Sequence, residues 1–575
     1  MGKLKSIHIN LIFTVILVQA IFFIGLILSF LTFKLLPGDI VPRALSAAGI
    51  YDPSQELIDA MKHQLGLDLP FFAQFLNYVG RLFSGNWGRS ISIVRNMLVY
   101  TLIKSKLPAT IVVIFVPVII GILFGILLGM VSSRYRNKWQ DIVIQIFCYF
   151  ILAIPVFFSG WYFVFYFGYS FGMIIFATRF ILTLAIIAII TLQTRSYLTK
   201  KQNNRSIIPF TLIVAKLFGI IFAFYLLLDT TFGVNSFGKL LIDALLLNDY
   251  YVILAALYIL VMVLVFTIII SNMHFILYQY LASDRFREMF SKFYTPKTKI
   301  LESNPRNEEK LKDYLVLRLK SPIFIIGIIS VLTLVILAIF PRIITQYSLD
   351  YVLQPHSGSW NPPTPDHPLG QTAMGGDVLG RTMYGIGDSL VFGLATVIIG
   401  MIGGVNFGFV AGRFKCWGYK LIMAFMMLFY LFPSILFVIL LLMIFDLSYF
   451  IAMISIGFML IPLFTYVTAN VMSEEINKEL IYKIARSLIS FIPLGIAVSI
   501  LLYNSVAYLG FIQEIRTILG GDINVARENP YDAPWAYFWP GLILSIMVFS
   551  FFMFHLGLKG LGSISRIKEL NEDLK

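Results

Sequence analysis

Residues 11–33 read LIFTVILVQAIFFIGLILSFLTF, 23 positions without a charged side chain. Crossing a bilayer as a helix takes about 20 mostly apolar residues, because no water is present there to satisfy an exposed backbone. A secretory leader has a shorter apolar core, about 7–15 residues, ending at a small-residue cleavage site. This run is longer and evenly apolar, and no A-x-A-like site follows it. It reads as a retained membrane helix. The same signal recurs along the chain, and 59% of the 575 residues are hydrophobic, against about 45–50% in soluble domains.

Hydrophobic runs place twelve spans, at approximately 11–33, 108–131, 142–167, 176–194, 207–228, 250–273, 321–340, 389–412, 420–445, 447–469, 488–509 and 537–558. The fourth carries Arg179 near one end. The expected fold class is an all-α polytopic membrane protein of about twelve transmembrane helices.

The net charge of +14 is not spread as a nucleic-acid surface would be. Basic residues cluster in alternate short loops: Lys3 and Lys5; Arg134, Arg136 and Lys138; Arg195, Lys200, Lys201 and Arg205; Arg413, Lys415 and Lys420. Intervening loops are balanced or acidic, as at Asp229, Asp243 and Asp249 beside Lys239. This is the positive-inside pattern, which sets orientation without implying a bound polyanion. No nucleic-acid partner is expected; the apolar surface has the lipid bilayer as its partner. An even number of spans puts both termini on the cytoplasmic side, in agreement with Lys3, Lys5, Arg566 and Lys568. Cys148 and Cys416 lie far apart in apolar surroundings and read as buried hydrophobes.

Between the sixth and seventh spans lies 283–320, SDRFREMFSKFYTPKTKILESNPRNEEKLKDYLVLRLK, mixed in sign and broken by Pro296 and Pro305. It reads as a cytoplasmic linker. It divides the chain into 1–282 and 321–575, with six spans each. In both parts a first helix leads into a long outer segment, 35–107 and 341–388, followed by five more helices. Such duplication is expected of transporters, whose route lies between repeated halves.

Residues 367–387, HPLGQTAMGGDVLGRTMYGIG, set Asp377 and Arg381 among glycines. A phosphate-binding loop needs G-x-x-x-x-G-K-[ST] between a strand and a helix. GGDVLGRT has no lysine and no strand before it, and no Walker motif occurs elsewhere, so the chain carries no ATPase of its own. Instead, PPTPDHPLGQTAMGGDVLGRTMYGIGDSLVFGL resembles the outer segment of one permease subunit of dipeptide/oligopeptide/nickel-type ABC importers. His367, Pro368, Leu369, Gly370, Gly375, Asp377, Arg381, Tyr384, Gly385, Ser389 and Leu390 match its pattern. Gln371 and Thr372 replace its T-D, and Gly376 stands where its arginine would. The first half is similar to the partner subunit through LLPGD at 35–39, LGLDLPFFAQFLNYVGRLFSGNWGRS at 65–90, KLPAT at 106–110 and FGVNSFGKLLIDALLLNDYYV at 232–252.

The resemblance implies two permease subunits fused in one chain, with the fold of a type I ABC importer permease. It implies alternating access between pseudo-symmetric halves for peptides or similar small solutes, in the plasma membrane. Two ABC ATPase subunits would hold the ATP, an extracellular substrate-binding protein would deliver the solute, and this chain would bind no cofactor. The family's cytoplasmic coupling helix is shortened in both halves. In the first it is reduced to TRSYLTKKQNNRSIIPF, leaving Arg195, Lys200, Lys201 and Arg205 as candidates for ATPase coupling. In the second, Ser473 is a possible cap for one amphipathic helix over Glu474–Arg486, whose candidates are Glu474, Glu475, Lys478, Glu479, Lys483 and Arg486. These shortened segments favour the alternative of an ATPase-independent channel or a structural subunit of a membrane complex.

Ionisable groups within spans are costly and point to function. Asp229 matches an acidic position of the family, and Asn504 takes the corresponding place in the second half, so both are candidates to line the pathway. Lys216 is a third, although its stem could snorkel to the interface. Asp446 reads as a turn, and His274 and His555 have no partners at metal spacing. No nucleophile–base pair or metal cluster stands out, so the chain reads as a transport permease and not an enzyme.

Overall fold

A computed structural model describes residues 50, 52–65, 67–168, 170–200, 210–281, 318–319, 321–414, 417–472, 478–527, 529 and 531–561, with scattered helical residues between 18 and 45. Among these residues there are helices and two isolated β-bridges, and no strand. Two short helices come first, α1 (Gln55–Leu65) and α2 (Phe71–Phe83). Then follow α3 (Val99–Arg134), α4 (Trp139–Ala153), α5 (Val156–Phe167), α6 (Phe171–Lys200), α7 (Phe210–Phe232), α8 (Phe237–Leu246) and α9 (Tyr250–Leu281). The second half holds α10 (Pro322–Ile339), a single turn α11 (Leu349–Leu353), α12 (Val378–Arg413), α13 (Trp417–Leu431) and α14 (Ser434–Phe445). It ends with α15 (Tyr449–Val471), α16 (Lys478–Tyr508), α17 (Leu519–Ala526) and α18 (Pro534–Leu558).

The element order from α3 to α9 repeats from α12 to α18, down to lengths. α3 and α12 both have 36 residues, α4 and α13 both 15, and α5 and α14 both 12. Eight described helices are long and apolar enough to cross a membrane, or ten if each of two sharply bent pairs counts as one span. The expected twelve is therefore not reached among the described residues. Residues 11–33 fall largely outside them, and α13 and α14 are each short.

The expected continuous spans 142–167 and 420–445 are each broken in the middle. Pro155 and Pro433 sit at the breaks, and α4 meets α5 at 80°. Proline has no N–H to donate to the turn before it, and its ring pushes the preceding residue out of the helical region. Ile154 accordingly has φ −80° and ψ 115°.

The tightest packing in each half is one pair of parallel helices, α3 with α6 and α12 with α15. Glycines at every fourth position form the seam. A Cβ on Gly121, Gly125 or Gly129 would lie 2.5–2.7 Å from the side chain of Ile186, Ile190 or Thr194. In the second half Gly400, Gly404, Gly408 and Gly412 meet Leu460, Phe464, Thr468 and Met472 in the same way, at 2.2–2.6 Å. Without hydrophobic drive between helices in lipid, close backbone approach is what holds them, and only glycine permits it. The seam holds α3 to α6 and α12 to α15.

Candidate translocation interface

The end that carries the His367–Gly387 loop is the loop end; the opposite one, where α18 ends beside the start of α10, is the far end. Across the middle, α18 of the second half packs on α4 and α5 of the first, and α7 of the first packs on α13 and α14. The contact is aromatic. Phe157, the second residue after the Pro155 break, stacks on Tyr508 with ring centroids 4.4 Å apart and planes 11° from parallel. Trp161 stacks on Tyr537 at 4.6 Å. The phenol of Tyr537 donates to the Phe157 carbonyl at 2.7 Å, and that of Tyr508 to Thr231 Oγ1 at 3.2 Å. Phe158 lies over Gly541, where a Cβ would meet its ring at 2.2 Å. Nearer the far end, Tyr149 packs on Phe552 at 5.0 Å and beside the buried His555. His555 Nδ1 bonds the Ser490 carbonyl. Among the described residues no group of His, Cys, Asp or Glu could hold a metal ion.

The glycine-rich loop is a clasp, built by the residues that match the family pattern. Asp377 caps α12, its Oδ2 accepting from the Gly380 N–H at 2.6 Å. Its Oδ1 lies 3.0 Å from His367 Nδ1, while His367 Nε2 faces the amide nitrogen of Gln371 at 3.2 Å. Burial pushes the Asp377 carboxyl up from its ordinary range, against the Gly380 and His367 hydrogen bonds. Gln371, which replaces the family's threonine, is itself buried and donates to the Gly375 carbonyl at 2.8 Å. Gly375 has φ +71°, and a Cβ there would strike the His356 carbonyl at 2.2 Å, so the turn admits only glycine. Arg381 reaches from α12 to Asp522 of α17 at 2.6 and 2.9 Å, and Tyr384 donates to the Tyr347 carbonyl at 3.1 Å.

Beside the clasp, Arg516 is held by Asp388 at 3.1 Å and Glu514 at 2.8 Å, and lies 3.8 Å over the Tyr449 ring. Burial alone would raise the Glu514 carboxyl, but Arg516 and the Tyr449 N–H outweigh it and hold it below its ordinary range. A carboxyl depressed on folding stabilises the fold above its unfolded value, near pH ~4.3 for glutamate, and loses that contribution as pH falls through the folded value. Acid titration of thermal stability should therefore show a downward limb below about pH 4.3 that Glu514→Gln flattens. Identical limbs in the two proteins would refute the assignment.

Asp229 and Asn504 occupy matching places, each ahead of the bend into a short helix. Asp229 bonds Ser236, and around it Tyr225 reaches both Ser236 at 2.9 Å and Thr110 of α3 at 3.1 Å. Asn504 accepts from the Gly520 N–H at 2.8 Å and donates to Ser389 of α12 at 3.3 Å. Gly238 and Gly520 allow these approaches: a Cβ would come 2.5 Å from Asp229 and 1.9 Å from the Asn504 carbonyl. Both side chains are fully buried, and both pin the turn into a short helix. Lys216 lies in α7, but its side chain is outside the described residues, as is that of His274. Asp446 is exposed where α14 ends.

No protein-family model matches the chain. It is 33% identical over 134 residues to a probable D,D-dipeptide transport system permease protein of Escherichia coli K12, spanning 38% of that protein's length. It is 28% identical over 260 residues to a dipeptide transport system permease protein of Alkalihalophilus pseudofirmus, spanning 85% of it. It is also 25% identical over 217 residues to a glutathione transport system permease protein of Pectobacterium atrosepticum, spanning 72%. The chain is a homologue of dipeptide- and glutathione-transport permeases. Those matches use only 23%, 42% and 34% of this chain, so a single relative corresponds to less than half of it. Two permease subunits joined end to end fit that proportion.

The far end differs between the two halves of the chain. In the first, Asp141 of α4 is fully buried and holds Arg195 of α6 through both oxygens, at 2.6 and 2.7 Å. Ser132 Oγ, the Asn137 N–H and Gln145 Nε2 donate to the same carboxylate at 2.6–2.9 Å. Counting along the glycine seams and equal helices, the matching positions of Ser132, Asp141 and Arg195 are Ala411, Tyr419 and Ala469. The second half thus has no such cluster. Arg195, expected as a coupling residue, points into this cluster from within α6, which continues to Lys200. Lys201, Arg205, Glu474 and Glu475 lie outside the described residues, as do the side chains of Lys200, Lys478 and Glu479. From Lys478 the chain is one helix through Tyr508, so Lys483 and Arg486 belong to the first turns of a span and not to a separate amphipathic helix.

Three structural ties escaped the reading of the sequence. Asp249 accepts on one oxygen from Ser90 Oγ and the N–H groups of Ile91, Ser92 and Ile93, at 2.6–3.2 Å, fastening the segment before α3 to the start of α9. Asp141 had no visible partner because Arg195 is far off in sequence. The glycine seams did leave a trace, GILFGILLG at 121–129 and GMIGGVNFGFVAG at 400–412, whose four-residue spacing marks a helix-packing face.

Proposed function

We propose that this chain is the membrane-spanning permease of an ATP-driven importer for peptides or comparably small solutes, with both permease halves in one polypeptide. The observation that carries the reading is the repeated helix order with matching glycine seams, in a chain whose matches to peptide-transport permeases each cover less than half of it. The solute route runs between the halves, along the aromatic contact of Phe157 and Trp161 with Tyr508 and Tyr537. In this conformation those stacked rings close it. Opening requires α18 to part from α4 and α5 while each glycine-sealed half moves as a unit. The energy comes from two ATPase subunits on the cytoplasmic side, which hold the ATP, and an extracellular binding protein presents the solute. His367–Gly387 then lies outside, both termini lie inside, and the membrane is the plasma membrane.

The test is uptake of labelled dipeptides into vesicles containing the chain, its neighbouring ATPases and a binding protein. Uptake should require ATP and all components. Tyr508→Ala should loosen the closed rings and admit solute without ATP, at a rate clearly above wild type. Transport that proceeds unchanged without the ATPases would overturn the proposal.

A further inference from the structure

α2, FFAQFLNYVGRLF, is amphipathic, and one of its faces has no protein against it among the described residues. Phe71, Phe72, Leu76 and Phe83 are 53–68% exposed. That face runs on into the exposed side of residues 22–31: Phe83 packs edge-on against Phe22, Phe71 against Phe30, and Phe23 and Ile27 are themselves exposed. A stretch of apolar surface continuous with a span's own lipid-facing side belongs at the level where tails meet headgroups. Beneath α2 is a cleft lined by Phe30, Tyr78, Arg81, Trp87, Tyr251 and Leu254. The Tyr78 hydroxyl is buried in its wall beside Ser29, and the Arg81 guanidinium lies against the Tyr251 phenol.

Charge selects the occupant. From Leu69 to Lys106 there is no acidic residue, while Arg81, Arg89, Arg95, Lys104 and Lys106 are all basic. None of these five has an ion-pair partner among the described residues. An apolar cleft opening beside an exposed apolar helix, with a guanidinium at its wall that has no carboxylate partner among the described residues, suits a molecule with a greasy tail and an anionic head.

We propose that α2 lies in the membrane interface and that an anionic phospholipid binds beside it, its phosphate at Arg81 in the mouth of the cleft and its tail in the surrounding apolar surface. The site is independent of solute transport and needs neither ATP nor partners to be measured. Trp87 lines the cleft and donates to the Leu82 carbonyl at 3.1 Å, so its fluorescence reports occupancy. The full chain is placed in phosphatidylcholine vesicles doped with equal fractions of dibromo-acyl phosphatidylglycerol or dibromo-acyl phosphatidylcholine. Subtracting the Trp87→Phe signal isolates quenching at Trp87. Phosphatidylglycerol should quench about fivefold more effectively, as expected for one basic residue at a headgroup. Arg81→Gln should remove most of the difference and Arg81→Lys should keep it. Equal quenching by both lipids would mean annular lipid only, and no quenching would mean a cleft closed to lipid; either result overturns the site. If Arg81→Gln does not reconstitute, the two-lipid comparison on the wild-type chain alone decides.

Discussion

Gly404→Leu should cost at least about 3 kcal/mol of stability and leave little folded protein. The glycine lies at the centre of the α12–α15 seam. Even a Cβ would sit 2.5 Å from that of Phe464, 2.7 Å from the Ile461 carbonyl and 3.0 Å from the Thr465 N–H. Two of these three are backbone atoms that cannot swing away, so a leucine must push two helices apart along their length. Gly125→Leu should behave alike, since it faces Ile190 and the Ile187 carbonyl at 2.7 and 3.1 Å in the matching seam. Gly172→Ala is the control: nothing lies within 4 Å of its Cβ position, and the change should stay within about 0.5 kcal/mol. The measurement is the thermal unfolding midpoint in detergent. A Gly404→Leu protein melting with the control would remove the seam as the basis of either half.

The second large effect is expected at the far end. Asp141→Ala should cost about 3–5 kcal/mol, because it strands a guanidinium whose side chain is only 17% exposed. It also deprives Ser132, Gln145 and the Asn137 N–H of their acceptor. Arg195→Met alone leaves the carboxylate with three other donors and should cost less. The double variant should fall well short of the sum of the two, since it leaves no uncompensated charge. A thermal double-mutant cycle that is strictly additive would show that the pair does not hold α4 to α6. Because the second half carries Ala411, Tyr419 and Ala469 there, no equivalent pair of substitutions exists in it.

Much of the site was legible, but its roles were not. The resemblance picked out His367, Gly375, Asp377, Arg381 and Tyr384, and these residues do come together in one clasp at the loop end. Sequence could not say that Arg381 would reach Asp522, more than a hundred positions away. Asp229 and Asn504 were marked as equivalent on the family pattern, and they do sit at equivalent bends. Their bonding to Ser236 and Gly520 makes them pins of the turn, which no pattern of charges reveals. The breaks at Pro155 and Pro433 were missed because hydropathy averages over a window and does not register a single absent N–H. Phe157 and Tyr508 looked like any other aromatic residues in a chain where 15% are aromatic.

What the sequence determined by itself is that this chain lives in a bilayer, in two successive parts of like design. Both facts follow from local properties: runs of apolar side chains that water would reject, and charges concentrated mainly in the gaps between them. Tertiary structure alone decided which helices share a seam, where a buried aspartate finds its arginine, and which rings stack between the halves. Those outcomes depend on contacts between residues far apart in the chain, where the balance of backbone approach, burial and charge pairing is struck only once the helices have met.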